Sequence, residues 1–271
     1  MLLYIIGMYY RTTDNQQLYY ELHGNPKADK TLVFLNGLSQ STVAWSLMLP
    51  AFTDEYQIIL LDLIFQGQSD KKGDLRNFDQ HAADVHGLAS SLNITRVTLI
   101  GISYGSLVAQ HFVLNYPEQI DKLVLLSTFA HKTPYFKAIE LAWNHALDVG
   151  GYSLMFDVML PTVLGEGYFE HPLIPIDTLR TSKQTINTEA LPLKKLMMAT
   201  YQREDYRKKL TAIKKPTLVI HGEKDALLSI YMGRQVSEAI VGSRFEIIKD
   251  SGHTLNLEAI PETIKLIKEF I

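Results

Sequence analysis

Short apolar runs that are rich in valine, isoleucine and leucine recur along the chain and constrain its fold more than any other feature. They lack a clean alternation of polar and apolar residues, which is typical of strands covered on both faces. The runs are TLVFLNG (31–37), YQIILLDL (56–63), RVTLIG (96–101), DKLVLLST (121–128), PTLVIHG (216–222) and RFEIIKD (244–250). Strands of this kind predict a mostly parallel sheet whose connections are helices.

The segments between these runs have the spacing of helices. NFDQHAADVHGLASSLN (77–93) and SLVAQHFVLNY (106–116) repeat apolar residues at helical intervals, and Pro117 ends the second segment. The segment IPETIKLIKEFI (260–271) predicts a last helix with Pro261 in its first turn. Strands that alternate with helices in this way predict an α/β fold with helices on both faces of the sheet.

The alternation of strands and helices is interrupted once, between Ala130 and Ile213. This segment has helical patterns punctuated by prolines and glycines, and it contains no convincing strand. We therefore predict a helical cap at 130–212, inserted into a core formed by 1–129 and 213–271. Ligands of open parallel sheets bind at the carboxyl ends of the strands, so the cap is expected to cover a binding site.

Composition excludes several classes of function. The chain has 271 residues and a formal net charge of -3, which provides no basic surface for nucleic acid. Cysteine is absent, which excludes disulfides, thiolate catalysis and cysteine-ligated zinc. The sequence contains neither an H-E-x-x-H motif nor a cluster of carboxylates. We therefore expect no metal and no cofactor.

The N-terminal segment MLLYIIGMYYRTTD (1–14) begins with an apolar run that is too short to span a membrane and has no basic region before it. We expect no stable insertion into a membrane. Together with the absent cysteines, this favours a cytoplasmic location. The segment from Met8 to Gly24 predicts two strands around a turn at Asp14 and Asn15, so either Met1 or Met8 can be the natural start.

The segment LIGISYGSLVAQ (99–110) places Ser103 in a G-x-S-x-G pattern between a predicted strand and a predicted helix. In a nucleophile elbow the serine has a positive φ at a sharp turn, and the neighbouring backbone approaches closely. Side chains at Gly101 and Gly105 would collide there, so glycine is required. The pattern predicts that Ser103 is a nucleophile, whereas the alternative is an ordinary turn.

A serine hydroxyl needs a base, and the base needs an orienting acid. His253 follows the last predicted strand in KDSGHTLNLEAIPE, and Asp225 follows the strand before it in TLVIHGEKDALLS. The order Ser103, Asp225, His253 is that of the α/β-hydrolase sheet rather than of other serine hydrolases. His221, on the strand itself, is expected to be a core histidine rather than a second base.

An oxyanion also needs preorganised donors. We expect the backbone N–H groups of Tyr104, directly after the nucleophile, and of Leu38, in the loop after TLVFLNG, to supply them. The substrate pocket is expected to include Asn36 and Phe129 from the core, with Trp143 and Met155 from the predicted cap.

With these residues in this order, the chain resembles the α/β-hydrolase superfamily over nearly all of its length. The segments PTLVIHGEKD, SGHTLNLEAIPE and LLDLIFQGQSD (60–70) are similar to the family's acid strand, histidine loop and the segment after one of its central strands. The resemblance implies an eight-stranded sheet, a helical cap, and Ser103, Asp225 and His253 as the catalytic triad.

Two positions depart from the family pattern. Asn36 precedes Gly37 where the family usually has histidine, and Ile64 replaces the usual proline after Asp62-Leu63. Asparagine at this place is similar to the enol-lactonase branch and to the acyltransferase that makes rhamnolipid precursors. The GQS of 67–69 is also similar to that acyltransferase.

The leading hypothesis is a serine hydrolase that cleaves a carboxylic ester, a thioester or a lactone of a small-molecule acyl substrate. The alternatives are an acyltransferase that passes a hydroxyacyl group to an alcohol, a hydrolase of C–C bonds, haloperoxidase-like chemistry, and a ligand-binding protein without turnover. The sequence leaves the acyl group, its length and the oligomeric state open.

Overall fold

The computed structural model describes residues 7–186 and 189–271, with the backbone alone at 183–186. Residues 1–6, and with them Met1, lie outside the described part. The strands are β1 (Met8–Arg11), β2 (Gln17–Gly24), β3 (Thr31–Leu35), β4 (Gln57–Leu61), β5 (Val97–Ile102), β6 (Ile120–Leu126), β7 (Thr217–Gly222) and β8 (Arg244–Ile248). Each apolar run of the sequence forms a strand, and the two strands expected within 8–24 are present.

The strands form one sheet in the order β1-β2-β4-β3-β5-β6-β7-β8. Strand β2 pairs antiparallel with β1 and β4, and the remaining neighbours are parallel. In the centre of the sheet Leu35 is level with Gly101, and Gly101 with Leu125. This register brings the carboxyl ends of β3, β5 and β6 to one edge. The predicted eight-stranded α/β-hydrolase fold is confirmed.

Helices connect the strands. They are α1 (Phe78–Ser91), α2 (Tyr104–Asn115), α3 (Pro134–Val163), α4 (Glu166–Glu170), α5 (Ile176–Ile186), α6 (Ala190–Gln202), α7 (Arg207–Leu210), α8 (Ile230–Ala239), α9 (Leu255–Glu258) and α10 (Ile260–Phe270). The side chain of Asn77 caps α1 by accepting from the N–H of Gln80. Helix α2 begins at Tyr104, two residues before the predicted segment, because the serine turn leads directly into its first turn. No helix in the described part of the chain is long and apolar enough to span a membrane.

The sheet separates two apolar layers. Leu99 and Val33 face a core shared with α1, α2 and α8, whereas Ile100 and Phe34 face a second core shared with α10. Burial on both faces explains why the sequence runs lack a clean alternation of polar and apolar residues.

Between β6 and β7 the described residues form helices and no strand. We refer to α3, α4, α5 and α6 as the inserted helices. Helix α3 is interrupted at Gly151, whose φ of 65° is accessible to glycine at little steric cost. The first core continues into the inserted helices through residues such as Phe136 and Leu196. The division into a core (1–129 and 213–271) and a cap (130–212) stays a prediction.

His81 of α1 is fully buried, and neither ring nitrogen has a hydrogen-bond partner among the described residues. Burial lowers the pKa of His81 from 6.5 to about 3, so the imidazole is neutral in the folded chain. The unfolded chain binds a proton at His81 near pH 6.5 that the folded chain does not. The stability that the neutral His81 contributes is therefore fully present above pH 6.5, and it is lost as the pH falls below this value and the unfolded chain binds a proton.

We expect His81→Leu to reduce the loss of unfolding free energy between pH 7.5 and pH 5 by about 2 kcal/mol, because the protonation of the unfolded chain is removed. Urea denaturation at the two pH values measures this difference. The exposed His171→Leu serves as a control and should leave it unchanged. Equal pH dependence in the parent and His81→Leu would contradict the assignment.

Candidate active site

Ser103 occupies the sharp turn between β5 and α2. Its φ is 50° and its ψ is −113°, so the positive φ expected from the sequence is present. A Cβ atom on Gly101 would lie 2.5 Å from the carbonyl oxygen of Gly105. A Cβ atom on Gly105 would lie 2.2 Å from the carbonyl oxygen of Leu35. Both glycines are therefore required by backbone atoms that cannot move aside, as the pattern predicted.

Hydrogen bonds hold this turn in place. The N–H of Ser103 donates to the carbonyl of Leu126 at 2.9 Å, which ties the turn to β6. The hydroxyl of Ser106 lies 2.6 Å from the carbonyl oxygen of Ser103. The strained residue is thus fixed by its neighbours on both sides, which is the condition for keeping a positive φ on a serine.

Asp225 and His253 lie together at the ends of β7 and β8. His253 Nδ1 is 2.8 Å from Asp225 Oδ2, and both side chains are buried. A carboxylate oxygen only accepts, so Nδ1 carries the hydrogen and Nε2 has a free lone pair. The other oxygen of Asp225 accepts from the N–H groups of Leu227 (3.0 Å) and Leu228 (2.8 Å). The carboxylate is therefore held in position by backbone groups, independently of its hydrogen bond to the imidazole.

His221, near the carboxyl end of β7, lies next to Asp225. Its side chain is fully buried, and Nε2 donates to the carbonyl of Leu228 at 2.7 Å and lies 3.3 Å from Asp225 Oδ2. Burial lowers the pKa of His221, which keeps the ring neutral. His221 is therefore a core histidine, in agreement with the sequence, but it also supports the carboxylate of Asp225.

Glu258 is a further residue of the site, and the sequence did not indicate it. Its carboxylate accepts from the N–H groups of Gly252 (2.9 Å) and Thr254 (2.9 Å), on either side of His253. It also accepts from the N–H of Gly165, which follows α3, at 2.7 Å. Glu258 thus joins the histidine loop to the inserted helices. No sequence signal marks it, because all its partners are backbone groups, two in its own loop and one 93 residues away.

The loop after β3 carries the predicted oxyanion donor Leu38. Gln66 donates to the carbonyl of Gly37 at 2.8 Å, and Gln40 accepts from the N–H of Gly37 at 2.9 Å. Within the described residues, the N–H groups of Leu38 and Tyr104 have no hydrogen-bond acceptor. Because Gly105 packs directly on Leu35, the two N–H groups belong to segments that are in contact.

Asn36 does not line the cavity, in contrast to the pocket expected from the sequence. Its side chain is fully buried and donates to the carbonyl of Leu61 (2.9 Å) and to Asp62 (3.1 Å). Its amide oxygen accepts from the indole N–H of Trp45 at 2.9 Å. These bonds fix the start of the loop that carries Leu38, so Asn36 lies behind the pocket rather than in it.

A cavity of about 110 Å³ opens beside Ser103 and His253. Its walls are mainly apolar, and the inserted helices supply nine of the 23 lining residues. The lining residues are Gly37, Leu38, Ser39, Gln40, Ile102, Ser103, Tyr104, Leu107, Phe129, Phe136, Glu140, Trp143, Phe156, Met159, Leu160, Val163, Leu164, Leu179, Thr200, Leu227, His253, Thr254 and Leu257.

Of the other expected pocket residues, Phe129 and Trp143 line the cavity and Met155 does not. Phe156, Met159 and Leu160 share the helical face that borders the cavity, whereas Met155 is fully buried in the core beside that face. The described residues contain no group of three or more His, Asp or Glu side chains that could hold a metal ion.

A family model described as the alpha/beta hydrolase fold matches residues 30–149 and 179–260. The chain belongs to this family. The chain order of Ser103, Asp225 and His253 is compatible with this fold.

Similar proteins include several hydrolases. The AB hydrolase superfamily protein YisY of Bacillus subtilis is 26% identical and covers 98% of this chain and 99% of its own length. The 2-hydroxy-6-oxononadienedioate/2-hydroxy-6-oxononatrienedioate hydrolase of Escherichia coli is 25% identical over 90% of this chain and 88% of its own. The structure of the enol-lactonase from Burkholderia xenovorans covers 97% of this chain and 99% of its own, with a TM-score of 0.86 and 21% identity. The last comparison concerns the fold alone.

We expect Glu258→Ala to lower the free energy of unfolding of this α/β hydrolase by about 3 kcal/mol, because it leaves buried backbone N–H groups without an acceptor. Urea denaturation monitored by circular dichroism measures the change. The exposed Glu238→Ala, on α8, is the matched control and should change stability by less than about 0.5 kcal/mol. Equal stability of the two variants would show that Glu258 does not hold the histidine loop.

Proposed function

We propose that this α/β hydrolase is a serine hydrolase that cleaves a carboxylic ester, a thioester or a lactone through an acyl-enzyme on Ser103. One observation carries the proposal. Ser103, held at a positive φ, shares a cavity with His253, and the imidazole of His253 is oriented by the buried carboxylate of Asp225.

In the proposed reaction, Nε2 of His253 takes the proton of the Ser103 hydroxyl as its oxygen attacks the acyl carbonyl carbon. The protonated imidazole then gives this proton to the leaving alcohol or thiol as the bond to the carbonyl carbon breaks. Water then attacks the acyl carbon and loses a proton to His253. His253 returns this proton to the Ser103 oxygen as its bond to the acyl carbon breaks, which releases the acid. Asp225 fixes the tautomer and stabilises the imidazolium that forms in each step.

The negative charge that develops on the carbonyl oxygen is assigned to the N–H groups of Leu38 and Tyr104. Each donor of this kind contributes about 3 kcal/mol to the stabilisation of a transition state in enzymes where it has been removed. The hydrogen bonds of Gln66 and Gln40 to Gly37 support the assignment, because they hold the loop without using the N–H of Leu38.

The apolar walls support a substrate whose acyl chain is largely hydrocarbon. Phe136, Phe156 and Leu160 of α3 face the same cavity as Ser103, so an acyl chain bound to the serine would be removed from water. In this proposal the inserted helices act as the cap that was expected at 130–212.

We expect Ser103→Ala to lower kcat for p-nitrophenyl ester hydrolysis at least about a thousandfold, because no nucleophile remains. A fluorophosphonate probe should label the parent protein and fail to label the variant, as measured by mass spectrometry. Ser90→Ala, at an exposed position of α1, is the matched control and should behave as the parent. Undiminished turnover by Ser103→Ala would refute the mechanism.

A series of p-nitrophenyl esters from acetate upward measures how long an acyl chain the cavity accommodates. Each methylene that enters it should raise kcat/KM about fourfold, because burial of one methylene contributes about 0.8 kcal/mol. The value should fall once the chain exceeds the cavity. Equal kcat/KM values across the series would show that the acyl chain does not enter the cavity.

A second measurement separates hydrolysis from acyl transfer. An alcohol is added to the reaction, and the products are analysed for the free acid and for the new ester.

A further inference from the structure

Two polar side chains on α3 interrupt the apolar wall, and the proposed hydrolysis uses neither of them. Glu140 and Trp143 both line the cavity. The third polar residue that the inserted helices supply, Thr200, donates its hydroxyl to the carbonyl of Leu196 within its own helix at 3.2 Å. The carboxylate and the indole N–H therefore need a separate explanation.

Trp143 is 3% exposed, and its indole N–H has no hydrogen-bond partner among the described residues. A buried donor without an acceptor is destabilising, and native proteins contain few of them. Trp45, the other tryptophan of the chain, donates its indole N–H to Asn36 at 2.9 Å. Trp143 lines the cavity and its buried N–H lacks an acceptor within the described part of the protein, so we expect a ligand atom to supply that acceptor.

Glu140 is buried in the same wall, and one of its carboxylate oxygens, Oε2, accepts from the ammonium group of Lys132. Lys132 does not line the cavity, and its ammonium group lies 5.0 Å from the centre of the Tyr201 ring. The carboxylate is therefore neutralised by a lysine that is not part of the cavity lining. In the part of the chain that the structure describes, the other oxygen, Oε1, accepts no hydrogen bond.

Glu140 and Trp143 are three residues apart on one helix and so lie on the same face, one turn apart. Together they supply a hydrogen-bond donor and a hydrogen-bond acceptor in a wall whose residues are mainly apolar. A ligand group that satisfies both must itself accept one hydrogen bond and donate another.

We propose that the acyl group of the substrate carries a hydroxyl, whose oxygen accepts from the indole N–H of Trp143 and whose hydrogen is donated to Glu140. This inference rests on the proposed function, because it names the class of acyl substrate for the same cavity. Trp143 and Glu140 are then the residues that determine specificity for a hydroxyacyl group.

The chemistry of the pair favours a hydroxyl over a charged group. A carboxylate could accept from Trp143 but would meet the carboxylate of Glu140. An ammonium group has no lone pair for the indole N–H, and Lys132 already pairs with Glu140. A neutral hydroxyl satisfies both residues without placing a further charge in the apolar cavity.

The test compares matched p-nitrophenyl esters of about six to ten acyl carbons that end in a methyl, a hydroxyl, an amine or a carboxylate. With the parent protein, the hydroxyl ester should exceed the methyl ester in kcat/KM by roughly three- to tenfold at one chain length. The preference should decline at shorter and longer chains, because the hydroxyl then lies outside hydrogen-bond distance of Trp143 and Glu140. The absence of a preference at every length would overturn the proposal, and so would a larger preference for the amine or the carboxylate.

Variants of the two side chains test whether they cause the preference for the hydroxyl ester over the methyl ester. Trp143→Phe keeps an aromatic ring and removes the N–H, and Glu140→Gln replaces the carboxylate with an amide of the same shape. Each should reduce the ratio of the hydroxyl to the methyl ester, and Trp143→Phe should bring it close to one. Met159→Leu changes the same wall without removing a polar group and should keep the ratio of the parent. A ratio unchanged in Trp143→Phe would overturn the role of the indole.

Binding to Ser103→Ala separates this inference from the proposed function. The affinity of that variant for the methyl esters of the paired acids, with and without the hydroxyl, is measured by calorimetry and needs no turnover. Tighter binding of the hydroxylated ester without turnover by the parent protein would support the polar site and refute the hydrolase. Turnover by the parent protein without this difference in affinity, and without a difference in kcat/KM, would support the hydrolase and refute the polar site.

Discussion

The close approach of two backbone segments at the carboxyl edge of the sheet is the constraint on which the site depends. Gly105 rests against the carbonyl of Leu35, and Gly101 rests against Gly105, so β3 and the start of α2 meet without intervening side chains. This contact allows the turn that holds Ser103 at a φ of 50°. It also brings the loop that carries Leu38 beside Tyr104. One packing contact therefore positions both the proposed nucleophile and the proposed oxyanion donors.

A second set of contacts connects the histidine loop to the inserted helices. Glu258 binds backbone N–H groups on both sides of His253 and the N–H of Gly165, and the hydroxyl of Thr254 donates to the carbonyl of Val163 at 3.0 Å. A displacement of the helical wall would therefore act on the loop of the proposed base. The same wall carries Trp143 and Glu140, so the residues proposed to recognise the acyl group are mechanically linked to those proposed to cleave it.

The sequence predicted the sheet well because both faces of its strands are covered, which produces continuous apolar runs. It also predicted the elbow, because a positive φ and a close backbone approach leave glycine as the only acceptable neighbour. The pocket was predicted less well. Asn36 supports the oxyanion loop from behind, and Met155 is buried beside the cavity face rather than on it. Which face of a helix borders a cavity depends on how that helix packs, and local periodicity does not encode it.

The sequence by itself determined the fold, the turn at Ser103, and the order of Ser103, Asp225 and His253, because these depend on local sterics and on the pattern of burial. Only the tertiary structure decided the 2.8 Å pairing of His253 with Asp225, the role of Glu258, and the exposure of Glu140 and Trp143 to the cavity. Apart from the bonds of Glu258 within its own loop, these features depend on contacts between residues that are far apart in the chain. Their partners are set by the packing of helices and loops over the sheet, which no short motif specifies.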